Sequence, residues 1–106
     1  MGRRQQVSDE NGALQDEGCR LDVWLYRTRI FKTRSLATKM ILGGKIRLTR
    51  NGRTERIRKP GVQIRPGQEV TFMRGKTLMQ IEMLSAGTRR GPASEAQSLY
   101  RDHSAA

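Results

Sequence analysis

Apolar residues recur along residues 20–48 with two different periods, and the change of period separates helices from a strand. Leu21, Trp24, Leu25 and Thr28 fall at the i, i+3, i+4, i+7 spacing of one helix face, leaving Arg20, Tyr26 and Arg27 on other faces. Asp22 in the first turn suits the positive end of the helix dipole. Thr33 is placed to cap a second helix over residues 34–42, with Leu36, Ala37, Met40 and Ile41 as its buried stripe and Arg34, Thr38 and Lys39 outside. Gly43 and Gly44 end it, since a glycine takes the left-handed cap conformation at no steric cost. Beyond them the period becomes two: Ile46 and Leu48 alternate with Lys45, Arg47 and Thr49.

Asn51-Gly52 signals a tight hairpin turn, and further strands are expected around residues 56–58, 69–73 and 79–84, with Pro60-Gly61 and Pro66-Gly67 punctuating the connections. Residues 92–100 read as a third short helix with proline in its first turn and Ala93, Ala96, Leu99 and Tyr100 as a weakly apolar side. Periodicity does not decide whether that helix docks. The order of elements gives an α+β fold, two N-terminal helices packed on a small antiparallel sheet, followed by the short C-terminal helix. Residues 1–18 hold only Val7, Ala13 and Leu14 as isolated apolar groups, too little burial to offset the entropy of ordering them. The expected organisation is a disordered tail over residues 1–19, a folded domain over 20–86, and a joint, helix and tail over 87–106.

Charge changes this picture more than composition does. The chain of 106 residues has room for one core, and its formal charge is +11. About +14 of that lies in residues 20–90, so the cations belong to the folded part and not to a basic arm. Cys19 is the only cysteine and His103 the only histidine, which excludes an intramolecular disulfide and a histidine and cysteine zinc cluster, so no metal and no cofactor are expected. No run of apolar residues approaches the roughly 20 needed to cross a bilayer, and the start of the chain lacks the apolar stretch of a signal peptide, so a cytoplasmic protein with no membrane partner is expected.

The loop Ile30-Phe31-Lys32-Thr33-Arg34-Ser35 outlines an anion site. A helix start presents unpaired N–H groups and partial positive charge, with Lys32 and Arg34 beside it and the Thr33 and Ser35 hydroxyls close by. Arg20, Arg27 and Arg29 on the first helix, Lys39 on the second, and Lys45 and Arg47 after the glycines gather further cations on one side of a small domain, which suits a nucleic-acid backbone. Residues 50–59, RNGRTERIRK, carry more around a turn, with Arg53, Arg58 and Lys59 as additional candidate contacts. Arg89 and Arg90 read as a solvated joint. Trp24 and Phe72 sit at core phases, whereas Tyr26 and Phe31 are the better candidates for base stacking. With no exposed aromatic platform, recognition should lean on shape and phosphates. The domain's acids, Asp22, Glu55, Glu69 and Glu82, are scattered, Cys19 has no histidine near it in sequence, and neither GxGxxG nor GxxxxGK[ST] occurs, so a binding module is expected and not an enzyme.

Arg20-Leu21-Asp22, Leu25, Lys32-Thr33-Arg34-Ser35-Leu36-Ala37, Ile41, Gly43-Gly44-Lys45-Ile46 and Asn51-Gly52 together resemble the S4 RNA-binding domain, also called the alpha-L motif, over residues 20–84. Within that family, RLDVWLYRTRIFKTRSLA and the later RRGPASEAQSLY are most similar to the small heat-shock members that bind the large ribosomal subunit. Those members usually continue into a longer charged C-terminal segment than this chain carries. The resemblance implies two helices and an adjoining strand that bind structured ribosomal RNA, a role in rescuing stalled large subunits that still hold peptidyl-tRNA, and, by position, contacts from Arg20, Lys32, Thr33, Arg34, Lys39, Lys45 and Arg47. A monomer is expected. The competing readings are a duplex-DNA binder, because two helices joined by a tight turn imitate a helix-turn-helix, and an accessory RNA-targeting subunit of an RNA-modifying enzyme.

Overall fold

The computed structural model describes residues 18–104. The expected N-terminal tail therefore lies, but for its last two residues, outside the described part. The elements run β1 (Cys19–Arg20), α1 (Leu21–Arg27), α2 (Arg34–Leu42), β2 (Ile46–Arg50), β3 (Arg53–Ile57), β4 (Gln63–Ile64), β5 (Glu69–Arg74), β6 (Thr77–Met83), α3 (Ala93–Gln97) and β7 (Tyr100–Asp102). Five strands form one antiparallel sheet in the order β3-β2-β5-β6-β7, and β1 pairs with β4 in a separate two-stranded ribbon. The fold is α+β, as the change of period predicts.

Register explains which side of the sheet is buried. Ile46 lies opposite Phe72, Leu48 opposite Val70, and Val70 opposite Ile81, so these side chains share one face and form the core with Leu21, Trp24, Leu25, Phe31, Ala37 and Ile41 of the helical half. Each of the leucine, isoleucine and valine side chains among them, removed from water, contributes about 1.5–3 kcal/mol. Arg47, between Ile46 and Leu48, consequently faces away from the helices, as do Arg56 and Thr71, which are its partners on either side.

The turns follow their residues. Asn51 and Gly52 both have positive φ, 53° and 76°, the pairing that a two-residue hairpin linking twisted strands requires. Gly44, at φ +72°, supplies the left-handed residue after α2, and its N–H donates to the Ile41 carbonyl at 2.9 Å.

Several elements differ from the sequence expectation. Regular structure reaches back to Cys19, which pairs with Ile64, and β3 begins at Arg53 and ends at Ile57, short of Arg58. The third helix stops at Gln97, after which Tyr100 opens β7 against Met83 of β6. Leu36, expected in the buried stripe of α2, is exposed. The last helix does dock: Ala96 and Leu99 are buried, and the Leu99 carbonyl accepts from the Leu84 and Ser85 N–H groups.

Candidate nucleic-acid interface

The site begins with a carboxylate that the sequence offers only as a helix-dipole partner. Asp22 is almost fully buried in the first turn of α1, yet it accepts from four donors. Arg20 grips it with two hydrogen bonds, Nε to Oδ1 at 3.1 Å and Nη2 to Oδ2 at 3.0 Å. Arg34 Nε and Thr38 Oγ1, both from α2, donate to Oδ2 at 3.3 Å. Burial pushes this carboxyl up, and the hydrogen bonds and charge of Arg20 and Arg34 outweigh it, holding Asp22 below the ordinary carboxylate range. Half of each arginine side chain remains in solvent, 49% for Arg20 and 51% for Arg34. Two guanidiniums are thereby fixed at one end and open to a ligand at the other.

The start of α1 is not itself an anion site. Its leading N–H groups donate to the loop before β4, Leu21 to the Val62 carbonyl at 2.8 Å and Asp22 to Pro60 at 3.3 Å. The start of α2 keeps more of its capacity. Thr33 caps it, its hydroxyl accepting from the Leu36 N–H at 3.0 Å, while Lys32, Ser35 and Lys39 are exposed around it. Arg34, Ser35, Thr38, Lys39 and Leu42 line a shallow groove of about 350 Å³ along the outer side of this helix.

A second set of arginines is occupied internally. Arg27 Nη1 donates to the Ala86 and Gly87 carbonyls at 3.1 and 3.0 Å, and Arg29 Nε donates to the Gly91 carbonyl. In the reverse direction Arg90 Nε donates to the Tyr26 carbonyl at 3.1 Å and its Nη2 to the Lys32 carbonyl at 3.3 Å. The Arg90 guanidinium also lies 4.7 Å from the centre of the Tyr26 ring. Together with Trp24 Nε1, which donates to the Ser85 carbonyl at 3.0 Å, these bonds fasten residues 85–91 to α1 and to the loop that precedes α2.

These facts sort the sequence candidates. Arg20, Lys32, Thr33, Arg34, Ser35 and Lys39 come together on the helical half, whereas Lys45 and Arg47 lie on β2 and just before it, with Arg47 on the sheet face turned away from the helices. The cations therefore occupy two surfaces instead of one side. Arg27 is half-buried and bonded to carbonyls, which makes it a brace. Phe31 is no stacking platform: it is buried, with its ring centre 5.1 Å from that of Phe72. Tyr26 is covered by Arg90, and Arg90 is a bonded clamp instead of a solvated joint. Arg53, Arg58 and Lys59 are exposed, with the Arg58 guanidinium packed over Gly44. Sequence reasoning missed Asp22 as an organiser, although an acid two residues from Arg20 in a cationic stretch was the available signal.

Nothing in this geometry resembles a metal centre, since no group of three or more histidine, cysteine, aspartate or glutamate side chains occurs among the described residues. The Cys19 thiol is pushed up by burial, away from its reactive thiolate form. No helix among the described residues is long and apolar enough to cross a membrane.

The S4 domain family model matches residues 19–70. Heat shock protein 15 of Escherichia coli strain K12 is 36% identical over 83 residues, which cover 78% of this chain and 59% of the relative. The heat shock protein 15 homolog of Haemophilus influenzae is 30% identical over 89 residues, covering 84% of this chain and 64% of the relative. The chain thus spans about three fifths of the length of these curated relatives. The solved structure of Vibrio cholerae heat shock protein 15, described as trimeric, superposes with a TM-score of 0.71 at 40% identity, covering 81% of this chain and 82% of that one.

Proposed function

The chain belongs to the S4 domain family, among the heat shock protein 15 proteins, and from that premise we propose that it is a non-enzymatic protein that binds structured ribosomal RNA on the large subunit. The observation that carries this reading is the pair Arg20 and Arg34, anchored on the buried Asp22 and half open to solvent beside Lys32 and Lys39. An arginine held at one end loses less freedom when it meets a phosphate, and its planar fork presents donors at a fixed spacing. Structured RNA offers phosphates at fixed positions, the class of target to which a rigid set of donors is matched. The role proposed for the complex is rescue of stalled large subunits that carry peptidyl-tRNA.

Thr33 and Ser35 in this reading shape the start of α2, and Lys32, Lys39, Lys45 and Arg47 supply phosphate contacts, with Arg53, Arg58 and Lys59 adding to them from the hairpin. Co-sedimentation with purified ribosomal subunits is the test. Association with the large subunit at moderate salt is expected, and absence of association with either subunit contradicts the ribosomal reading. Competition with duplex DNA should leave the bound RNA in place. Light scattering of the free protein should give a monomer, in contrast to the relative described as trimeric.

A further inference from the structure

The sheet face turned away from the helices carries an arrangement that phosphate binding alone does not explain. Arg47 and Arg56 lie directly opposite each other on β2 and β3, a like-charge pairing that disfavours the sheet. Neither they nor Lys45 carry an ion pair among the described residues. The face's acids lie toward its other end and are engaged, Glu69 by Gln80 and Glu82 by Arg101 and His103. Next to the cations, Met73 and Leu78 pair across β5 and β6 and leave 49% and 54% of their surface in water. Lys45, Arg47, Arg56, Thr71, Met73 and Leu78 line one shallow groove of about 280 Å³.

We infer that this groove is a subsite for an unpaired RNA nucleotide, with Met73 and Leu78 as its floor and Arg47, Arg56 and Lys45 as its rim. The inference rests on the RNA-binding reading above and adds base recognition to it. A nucleobase has an apolar face that suits a leucine and a polarisable thioether, and guanidinium planes stack on it as well. The uncompensated cations fit the adjoining phosphates. A base inside a continuous duplex cannot reach the floor, so the subsite selects loops, bulges and single strands.

The test uses wild-type protein with methyl-labelled methionine, titrated with a uridine oligonucleotide and with a duplex RNA of equal length. The Met73 methyl signal should move with the single strand and stay with the duplex, while the buried Met83 signal serves as the control. The double substitution Met73→Ser with Leu78→Ser, at exposed positions, should weaken single-strand binding roughly three- to tenfold with an unchanged salt slope. A silent Met73 methyl in a protein that binds RNA overturns the subsite and leaves the broader reading standing. No binding of either RNA overturns the subsite as well, while co-sedimentation with ribosomal subunits decides the broader reading separately. A Met73 shift that depends on protein concentration without RNA also overturns it, by showing that a second copy covers the face.

Discussion

Arg20 and Arg34 reach solvent from a fixed base, the buried Asp22 carboxylate, whereas Arg53 and Arg56 on β3 stand on an exposed edge strand with no ion pair among the described residues. Both regions are basic, and net charge does not distinguish them. The difference lies in what holds the charge still. Around α2 a buried acid, a threonine cap and the Arg90 clamp fix the backbone and the guanidiniums together. On the hairpin the nearest equivalent is Arg50 to Glu55 at 3.5 Å, an exposed pair of the kind worth about 0–1 kcal/mol. A charge that is already placed binds with a smaller ordering cost, so equal numbers of cations need not contribute equally.

Substituting Asp22→Asn should break the contrast most severely. It removes the shared negative charge and turns one of the two acceptor oxygens into a donor facing two arginines and Thr38, and is expected to lower unfolding stability by about 2 kcal/mol in urea titration, less than for a fully buried pair because both arginines are half in water. RNA affinity should fall with it. The pH dependence has a definite sign. The folded-state carboxyl titrates below its unfolded value, so its contribution is fully present above about pH 4 and is lost as pH falls through the lower folded value. Wild type should therefore lose stability on acidification through that window, and Asp22→Asn should show a shallower loss.

Gly44→Val ranks next, at about 1–2 kcal/mol of stability, because a β-branched residue is strained at φ +72°. The close approach of Arg58 Nη1, 2.8 Å from where a first side-chain carbon would sit, matters less, since a flexible side chain can move. Arg90→Ala should have a smaller effect on stability, about 1 kcal/mol, but should specifically raise amide exchange in the loop before α2. Its RNA affinity should drop without much change in salt slope, as befits a clamp that touches no phosphate. The smallest effect is expected for Arg50→Ala, within about 0.5 kcal/mol in thermal unfolding.

The parts of the molecule legible in the sequence are those that depend on neighbours within one turn or one strand. The apolar spacing of Leu21, Trp24 and Leu25, the Thr33 cap, Gly44 and the Asn51-Gly52 turn each signal their element locally, and each stands in the structure. What the sequence concealed is nonlocal or very short. Arg27 meets its carbonyl partners 59 and 60 residues away, and Arg90 meets Tyr26 at a separation of 64. The β1 and β4 strands have two residues each, too few for any period. Phe31 reads as a loop aromatic free to stack, yet it turns inward onto Phe72 and joins the core, a contact between residues 41 positions apart. Arg47 shared a stretch of chain with Arg34, and strand alternation put it on the opposite surface.

Removing the same number of charges from each region tests the claim that placement, and not net charge, makes the helical half the principal RNA surface. A structured ribosomal RNA fragment should be titrated at several salt concentrations with Arg34→Ala/Lys39→Ala, which removes an anchored guanidinium, and with Arg50→Ala/Arg53→Ala. The helix-side variant is expected to lose about tenfold or more in affinity and about two units of salt slope, and the hairpin variant much less. Equal losses from the two variants would mean that the RNA reads only total charge, and would contradict the account.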